Sequence, residues 1–292
     1  MSSLDIDHLQ QWTGRSETLH DRITLAPLQA LAATLDRDDR APQPGDALPP
    51  CWHWLYFLPL QRASGMGSDG HPRRGGFLPP VPLPRRMWAG SRLEFLQPLL
   101  AGEDIVRSSR IADVSAKHGR TGSLVFVRVR HETSGGRGLA IIEQQDIVYR
   151  EMPQQGDAAR AAAPAAATGP AAGSDEQFSR RITPDPVLLF RYSALTFNSH
   201  RIHYDRPYAT EVEGYRGLVV HGPLIATLLL DLLRRQQPSA RVTAFDFKAV
   251  SPLLDTAPFD VCGRIDGELA TLWARGPDGS LAMQASATLV ST

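Results

Sequence analysis

From Arg22 to Leu35 apolar residues recur at helical spacing in the run Arg-Ile-Thr-Leu-Ala-Pro-Leu-Gln-Ala-Leu-Ala-Ala-Thr-Leu, and that periodicity predicts a helix. A Pro-rich stretch follows, and then the period changes to two. Over 124–131 Val125, Val127 and Val129 point one way and Arg128 and Arg130 the other, the alternation of a half-buried strand. A second strand is read over 138–149, after a turn at Ser134-Gly135-Gly136. Much later, 224–233 is apolar nearly all round, interrupted only by Thr227 and Asp231; a helix with no polar face is a buried helix. Strand-like runs then follow at 242–250, 259–265, 271–275 and 282–290, with Gly276-Pro-Asp-Gly279 suited to a hairpin turn between the last two.

A helix followed by an antiparallel meander therefore occurs twice. The pattern predicts an α+β protein of two curled antiparallel sheets, each wrapping its own long helix. The expected units are residues 1–150 and 180–292. Between them, 151–179 is rich in alanine and interrupted by Pro153, Pro164, Gly169 and Pro170. It has few large apolar side chains to anchor it and reads as a mobile linker, partly helical in its middle.

At 292 residues the chain suits one large or two modest domains, and a chain of this size buries about 75% of its unfolded surface. Basic and acidic residues balance at 31 each. That excludes a broad electrostatic grip on nucleic acid or anionic membrane, but not a local basic pocket. Cys51 and Cys262 lie far apart without C-x-x-C spacing and read as small buried hydrophobes in a reducing compartment. The first residues carry Asp5 and Asp7 where a signal peptide needs basic and then apolar residues. No apolar run reaches the roughly 18 residues of a membrane span. The expectation is a soluble, cytoplasmic protein.

One short segment, Phe197-Asn-Ser-His-Arg-Ile-His-Tyr-Asp205, gathers an amide, two histidines and a carboxylate shortly before the buried helix. A metal site is one reading of His200, His203 and Asp205. Zinc sites on a helix prefer i, i+4 histidines, however, whereas these stand at i, i+3, and no further His/Cys/Glu cluster completes the set. Turn-capping or hydrogen-bonded core histidines are a second reading, strongest for His200. Gly222-Pro223 opens the helix with proline where its missing N–H costs nothing. The free N–H groups there carry the positive end of the helix dipole, and no acidic cap precedes them, so they suit an anion or a developing oxyanion. A plain glycine cap is the alternative.

These residues, Tyr192-Ser-Ala-Leu-Thr-Phe-Asn198-Ser-His-Arg-Ile-His203-Tyr-Asp205, then Tyr208-Ala209 and Gly214-Tyr-Arg-Gly-Leu-Val-Val-His221-Gly222-Pro-Leu, resemble the MaoC-like, R-specific enoyl-thioester hydratases and dehydratases of the hotdog fold. The resemblance is nearest to the branch of 3-methylfumaryl-CoA (mesaconyl-C4-CoA) hydratase, itaconyl-CoA hydratase and mitochondrial 3-hydroxyacyl-thioester dehydratase. It covers the C-terminal half specifically; in the N-terminal half it rests on length, overall pattern and Gly76-Phe-Leu-Pro-Pro. It implies a double hotdog and a hydro-lyase acting on an acyl-CoA thioester without metal or redox cofactor. Mesaconyl-C4-CoA or itaconyl-CoA is the first expected substrate. A fatty-acid 3-hydroxyacyl-thioester dehydratase and a non-catalytic acyl-CoA-binding double hotdog are the alternatives. The wider family has an acidic residue where this chain has Asn198, and an amide cannot accept a proton at neutral pH.

On that resemblance His203 is the general base, Asn198 holds the attacking water, and the Gly222 N–H receives the enolate oxygen. Asp205 orients the imidazole, serves as a second base, or only caps a turn. Were 203–205 extended, it would share a face with His203. Arg201, Arg206, Arg216 and Lys248 are candidates for the phosphates of CoA or a free substrate carboxylate, each with solvated surface charge as the alternative. The Pro-rich run from Gly75 lines an acyl tunnel or forms a rigid surface loop. A homodimer through sheet edges stays open.

Overall fold

The computed structural model describes residues 4–119, 122–151 and 169–290. The first half runs α1 (Ile6–Gln10), β1 (Ser16–Arg22), α2 (Leu25–Thr34), β2 (Arg85–Phe95), β3 (Asp104–Gly119), β4 (Gly122–Gly135) and β5 (Gly138–Arg150). The second runs β6 (Phe178–Ile182), α3 (Pro186–Thr196), α4 (Gly222–Gln236), β7 (Arg241–Ala249), β8 (Phe259–Asp266), β9 (Leu269–Arg275) and β10 (Leu281–Val290). These strands form one 10-stranded sheet in the order β1-β3-β4-β5-β2-β7-β10-β9-β8-β6. Read outward from its centre, the order matches itself: β2, β5, β4, β3 and β1 correspond to β7, β10, β9, β8 and β6. The halves meet where β2 and β7 pair antiparallel, from Gly90 opposite Lys248 to Glu94 opposite Ala244.

The strands follow their patterning. Val125, Val127 and Val129 are buried, and Arg128 on the other face reaches Asp146. The turn after β9 closes with the Gly276 N–H on Ser280 O at 2.8 Å and the Gly279 N–H on Gly276 O at 3.0 Å. Helix α4 is buried from Leu224 to Leu233, and each large apolar side chain sealed in this way contributes about 1.5–3 kcal/mol. Its core joins both halves, with Leu93 and Ile141 packed in the same cluster as Phe245 and Met283.

The helices of the halves are unequal. By position α2 corresponds to α3, and among the described residues of the first half no long helix corresponds to α4; that stretch carries 3-10 turns at Trp52–Leu55 and Ala63–Gly65. Trp52, Leu55, Tyr56 and Phe57 fill the space instead. α1, β1, β2, β3, β6 and α3 are further elements beyond the sequence reading, and α2 begins three residues later than its pattern because Arg22 ends β1. Most of the linker read over 151–179 lies outside the described residues. Its end is held on the sheet: the Ala172 N–H reaches Gly279 O at 2.9 Å, the Gln177 N–H reaches Gly263 O at 2.9 Å, and Glu176 pairs with Arg275 at 2.8 Å. The backbone pairing fixes 169–177 despite its small side chains.

The Pro-rich run from Gly75 packs as structure. Val81 and Leu83 are buried, and Phe77 and Leu78 pack beside them, in a second cluster with Leu9, Ile111 and Val127. Cys51 and Cys262 are buried and free. Among the described residues, no helix is long and apolar enough to cross a membrane.

Candidate active site

Helix α3 ends at Phe197, whose φ of 50° turns the chain left-handed. The Asn198 N–H closes the helix on Ser193 O at 2.8 Å, and the Asn198 side-chain oxygen accepts from the His200 N–H at 3.0 Å. That local turn carries the chain into a 3-10 turn, Arg201–His203. His203 is thereby directed inward, where its Nδ1 lies 2.7 Å from the carbonyl of Val219. A carbonyl only accepts, so Nδ1 carries the proton and Nε2 keeps its lone pair. The Val219 carbonyl is itself fixed, because the Val219 N–H bonds Ile202 O at 2.9 Å and the Val220 N–H bonds Leu253 O at 2.9 Å.

Val219 leads directly to His221 and the start of α4. The His203 and His221 rings stack at 3.7 Å with 19° between their planes, which places the His203 ring beside the helix N-terminus. Gly222 and Pro223 are the first helical residues, and the Ile225 N–H takes His221 O at 3.1 Å. The N–H groups of Gly222 and Leu224 have no earlier turn of helix to bond. His221 makes no side-chain cap. Its Nε2 lies 2.8 Å from Ser193 Oγ, and its Nδ1 is buried without a hydrogen-bond partner among the described residues.

The first half adds residues that the sequence reading missed. His71 stands over His200 at 4.0 Å between ring centroids, and His200 meets His203 edge-on at 5.4 Å. Asp69 accepts from the backbone N–H of His71 at 3.0 Å and lies 3.1 Å from its ring Nδ1. This loop is clamped to the motif: the Arg201 N–H donates to Asp69 O at 2.9 Å, and Ser199 Oγ donates to Gly70 O at 2.6 Å. Gly70 has a φ of +85°, and a Cβ there would lie 1.9 Å from Ser199 O, so the crossing requires glycine. Nothing in the first half's sequence pattern marks this loop, because its partners lie about 130 residues away.

Burial sets the electrostatics. Desolvation, ahead of all other causes, pushes the imidazole pKa of His203 and of His71 down to about 4 and of His200 down to about 2, and that of His221 also falls well below the usual value. The four rings are neutral at neutral pH, leaving His203 Nε2 a free base. Burial resists ionisation of Asp69, but its hydrogen bonds with His71 outweigh it and hold the carboxyl well below its usual range.

The other candidates divide. Asp205 takes the Arg201 guanidinium at 2.7 Å and accepts the Tyr208 N–H at 3.1 Å. Since 201–203 is a 3-10 turn, strand alternation does not bring it to His203, whose Nδ1 is occupied by Val219. Asp205 caps the π-type turn Tyr208–Val212. Arg201 is held by Asp205, by Ser68 O at 3.1 Å and over the Tyr208 ring at 4.2 Å. Arg206 pairs with Asp255, whose side chain is 1% exposed. Two of the four expected cations are thus engaged in structural pairs, while Arg216 and Lys248 are exposed. Arg86, absent from the expected set, lies close enough for its charge to depress both His71 and His200. The ligand set His200, His203 and Asp205 is not assembled. Among the described residues the group able to offer three ligand atoms within 4.8 Å of one another is Asp69, His71 and His200, and there the Asp69 carboxylate already accepts from His71.

Comparison with known proteins places the chain in a family. Residues 51–255, which include the motif and the start of α4, match the family described as hydroxyacyl-thioester dehydratase type 2. The chain is 47% identical over 289 residues to mesaconyl-C(4)-CoA hydratase of Chloroflexus aurantiacus, covering 99% of both chains. It is 30% identical to the mitochondrial hydroxyacyl-thioester dehydratase type 2 of Schizosaccharomyces pombe, covering 87% of this chain and 91% of that one. In fold it is similar to a Mycobacterium tuberculosis protein described as having a double hotdog fold, with a TM-score of 0.56 at 14% identity, covering 95% of this chain and 96% of the other. The double hotdog fold and these relatives agree: the chain belongs to the hydroxyacyl-thioester dehydratase type 2 family and is a hydro-lyase.

Proposed function

We propose that the protein reversibly adds water across the α,β double bond of a short, branched or dicarboxylic enoyl-CoA thioester, with mesaconyl-C4-CoA as its substrate. The observation that carries this reading is the fixed tautomer of His203 beside the start of α4. As water's oxygen bonds to the β-carbon, Nε2 of His203 takes a water proton. The double-bond electrons move onto the thioester oxygen, which accepts a hydrogen bond from the Gly222 N–H. Return of the proton to the α-carbon from the imidazolium completes the addition, and the reverse sequence eliminates water. A helix-start donor of this kind is worth about 3 kcal/mol in the transition state.

Asn198 orients the water. Its amide cannot take a proton, so His203 is left as the single base. Asp205, tied to Arg201, acts as a cap. For the free carboxylate of the acyl group the available cation is Arg86, beside His71 and His200; Lys248 and Arg216 are the exposed cations left for the phosphates of CoA. The chemistry proposed here calls on no metal or redox group. Hydroxyacyl-thioester dehydration, the activity named for the Schizosaccharomyces relative, is the same reaction read backwards on another acyl group.

The test is loss of enoyl-thioester absorbance with mesaconyl-C4-CoA, itaconyl-CoA, crotonyl-CoA and a long-chain enoyl-CoA. Fast turnover of the dicarboxylic esters, slower turnover of crotonyl-CoA and none of the long-chain ester is expected. His203→Ala should lower kcat by about 10²–10⁴-fold while leaving ester binding nearly intact. Unchanged turnover in that variant removes the mechanism, and turnover of long chains by the unaltered protein removes the substrate.

A further inference from the structure

We propose that Trp54 and Trp88 form a partition that closes the acyl pocket and confines the reaction to short acyl groups. This rests on the short-acyl hydratase reading above. Behind the partition lies a cavity of about 360 Å³ at the far end of α4, lined by Trp52, Phe95, Ile141, Leu230, Leu233 and Leu289 among others. It has the size and the apolar walls to take the tail of an acyl chain. With α4 rising ~1.5 Å per residue, Leu230 and Leu233 stand ~12 and ~17 Å along the axis from Gly222. The inner face of β2 spans the same gap, from Trp88 beside Gly222 to Phe95 in the cavity wall.

The indoles stand between these ends. Trp88 O lies 3.8 Å from the place a Gly222 Cβ would take. The Trp88 ring meets the Trp54 ring at 5.0 Å, and both meet Phe247 at 6.1 Å. His53, next to Trp54, already belongs to the cavity wall. Trp54 and Trp88 are half-buried, whereas Phe247, Ser91 and Glu143 behind them are buried.

One buried carboxylate holds the partition in place. Trp54 Nε1 donates to Glu143 Oε2 at 3.1 Å, and His53 Nε2 lies 3.4 Å from the same oxygen. Trp88 Nε1 donates to Ser91 Oγ at 2.9 Å, which donates in turn to Glu143 Oε1 at 2.7 Å. Burial opposes ionisation of Glu143, yet the hydrogen bond and charge of His53, with His131 and Ser91, bring its pKa down to about 2. Swinging either indole aside strips donors from a buried anion, which is costly. The partition is therefore a fixed wall, and a long acyl chain meets indole where the cavity beyond would otherwise admit it.

The experiment is a chain-length profile of kcat/KM with crotonyl-, octenoyl- and dodecenoyl-CoA for the unaltered protein, Trp54→Ala and Trp54→Leu. The unaltered protein should strongly prefer crotonyl-CoA. Opening the wall should shift the octenoyl-to-crotonyl ratio upward by about tenfold or more, the discrimination that one or two methylenes in an apolar pocket supply. Adding Leu230→Trp to fill the cavity should abolish that gain, and Leu230→Trp alone should leave crotonyl turnover as it was. Trp54→Leu keeps an apolar contact with Trp88 and decides the matter if the alanine variant does not fold. A folded, crotonyl-active Trp54 variant with an unchanged profile overturns the partition. So does an unaltered protein that already accepts dodecenoyl-CoA, which would leave hydratase activity standing. No turnover of any ester by the unaltered protein, mesaconyl-C4-CoA included, overturns the activity and the partition together.

Discussion

His203 owes its chemistry to two neighbours of different kinds. Val219 O fixes the tautomer, and burial, with His71 nearby, keeps the ring uncharged. The pH dependence follows from the direction of that shift. A base whose pKa falls from 6.5 to about 4 holds its lone pair throughout the neutral range and loses it only in acid. The acid limb of kcat/KM in the free enzyme should accordingly lie near 4 and not near 6.5, with activity level between about pH 5 and pH 8. A pH–rate profile with its acid limb at 6 or above would contradict the assignment of a buried neutral His203 as base. Asp205 marks the limit of reading residues by spacing. Its carboxylate stands two positions from His203 in the chain, yet Arg201 and the Tyr208 N–H occupy it. Which partner a charged side chain takes depends on the turn geometry between them.

At the scale of elements, the site is assembled from the end of α3, the start of α4 and one loop of the first half. The motif that follows α3 and the start of α4 were legible, though α3 itself was not. Asn198 to Asp205 is a segment polar but for Ile202 and Tyr204, and Gly222-Pro223 before a nearly all-apolar run is a helix start whatever surrounds it. The loop carrying Asp69 and His71 was not, because only docking against Ser199 and Arg201 gives it a role. Gly70→Ala tests that docking. Its Cβ would collide with Ser199 O at a positive φ, and strain of this kind costs about 1–3 kcal/mol. A lower melting temperature and a lower kcat are expected, the latter through displacement of His71 from His200. If Gly70→Ala retains both, the clamp contributes nothing. β1 and β6 were missed for a related reason: Ser-Glu-Thr-Leu-His-Asp-Arg is an edge strand with no buried face, so its alternation carries little apolar signal.

The whole molecule places four neutral imidazoles in one row, three of them buried and His71 half-buried, and its stability should register them. Folding lowers the pKa of each, so below the ordinary value of about 6.5 the unfolded chain binds protons that the folded chain refuses. Stability must then fall as pH falls through that window. The melting temperature should drop steeply from about pH 7 to about pH 5, before the carboxylates titrate. A melting temperature that is level or rising over the same interval would show that these rings are not buried neutral in solution.

The sequence by itself determined the period of each segment and the local chemistry of the motif. It determined that 224–233 must be buried, that 124–131 must be a strand with its valines inward, and that an amide, two histidines and a glycine-opened helix occur within one stretch. Apolar periodicity and backbone capping are short-range properties, and a chain carries them wherever it folds. Tertiary structure decided everything that depends on who meets whom. It joined two expected sheets into one across β2 and β7, gave the shared core a single long helix, and spent Arg201 and Arg206 on Asp205 and Asp255. It also brought His71 to His200 and set Trp54 against Trp88. These are contacts between residues far apart in the chain, and their partners are fixed by packing and desolvation, which no local pattern encodes.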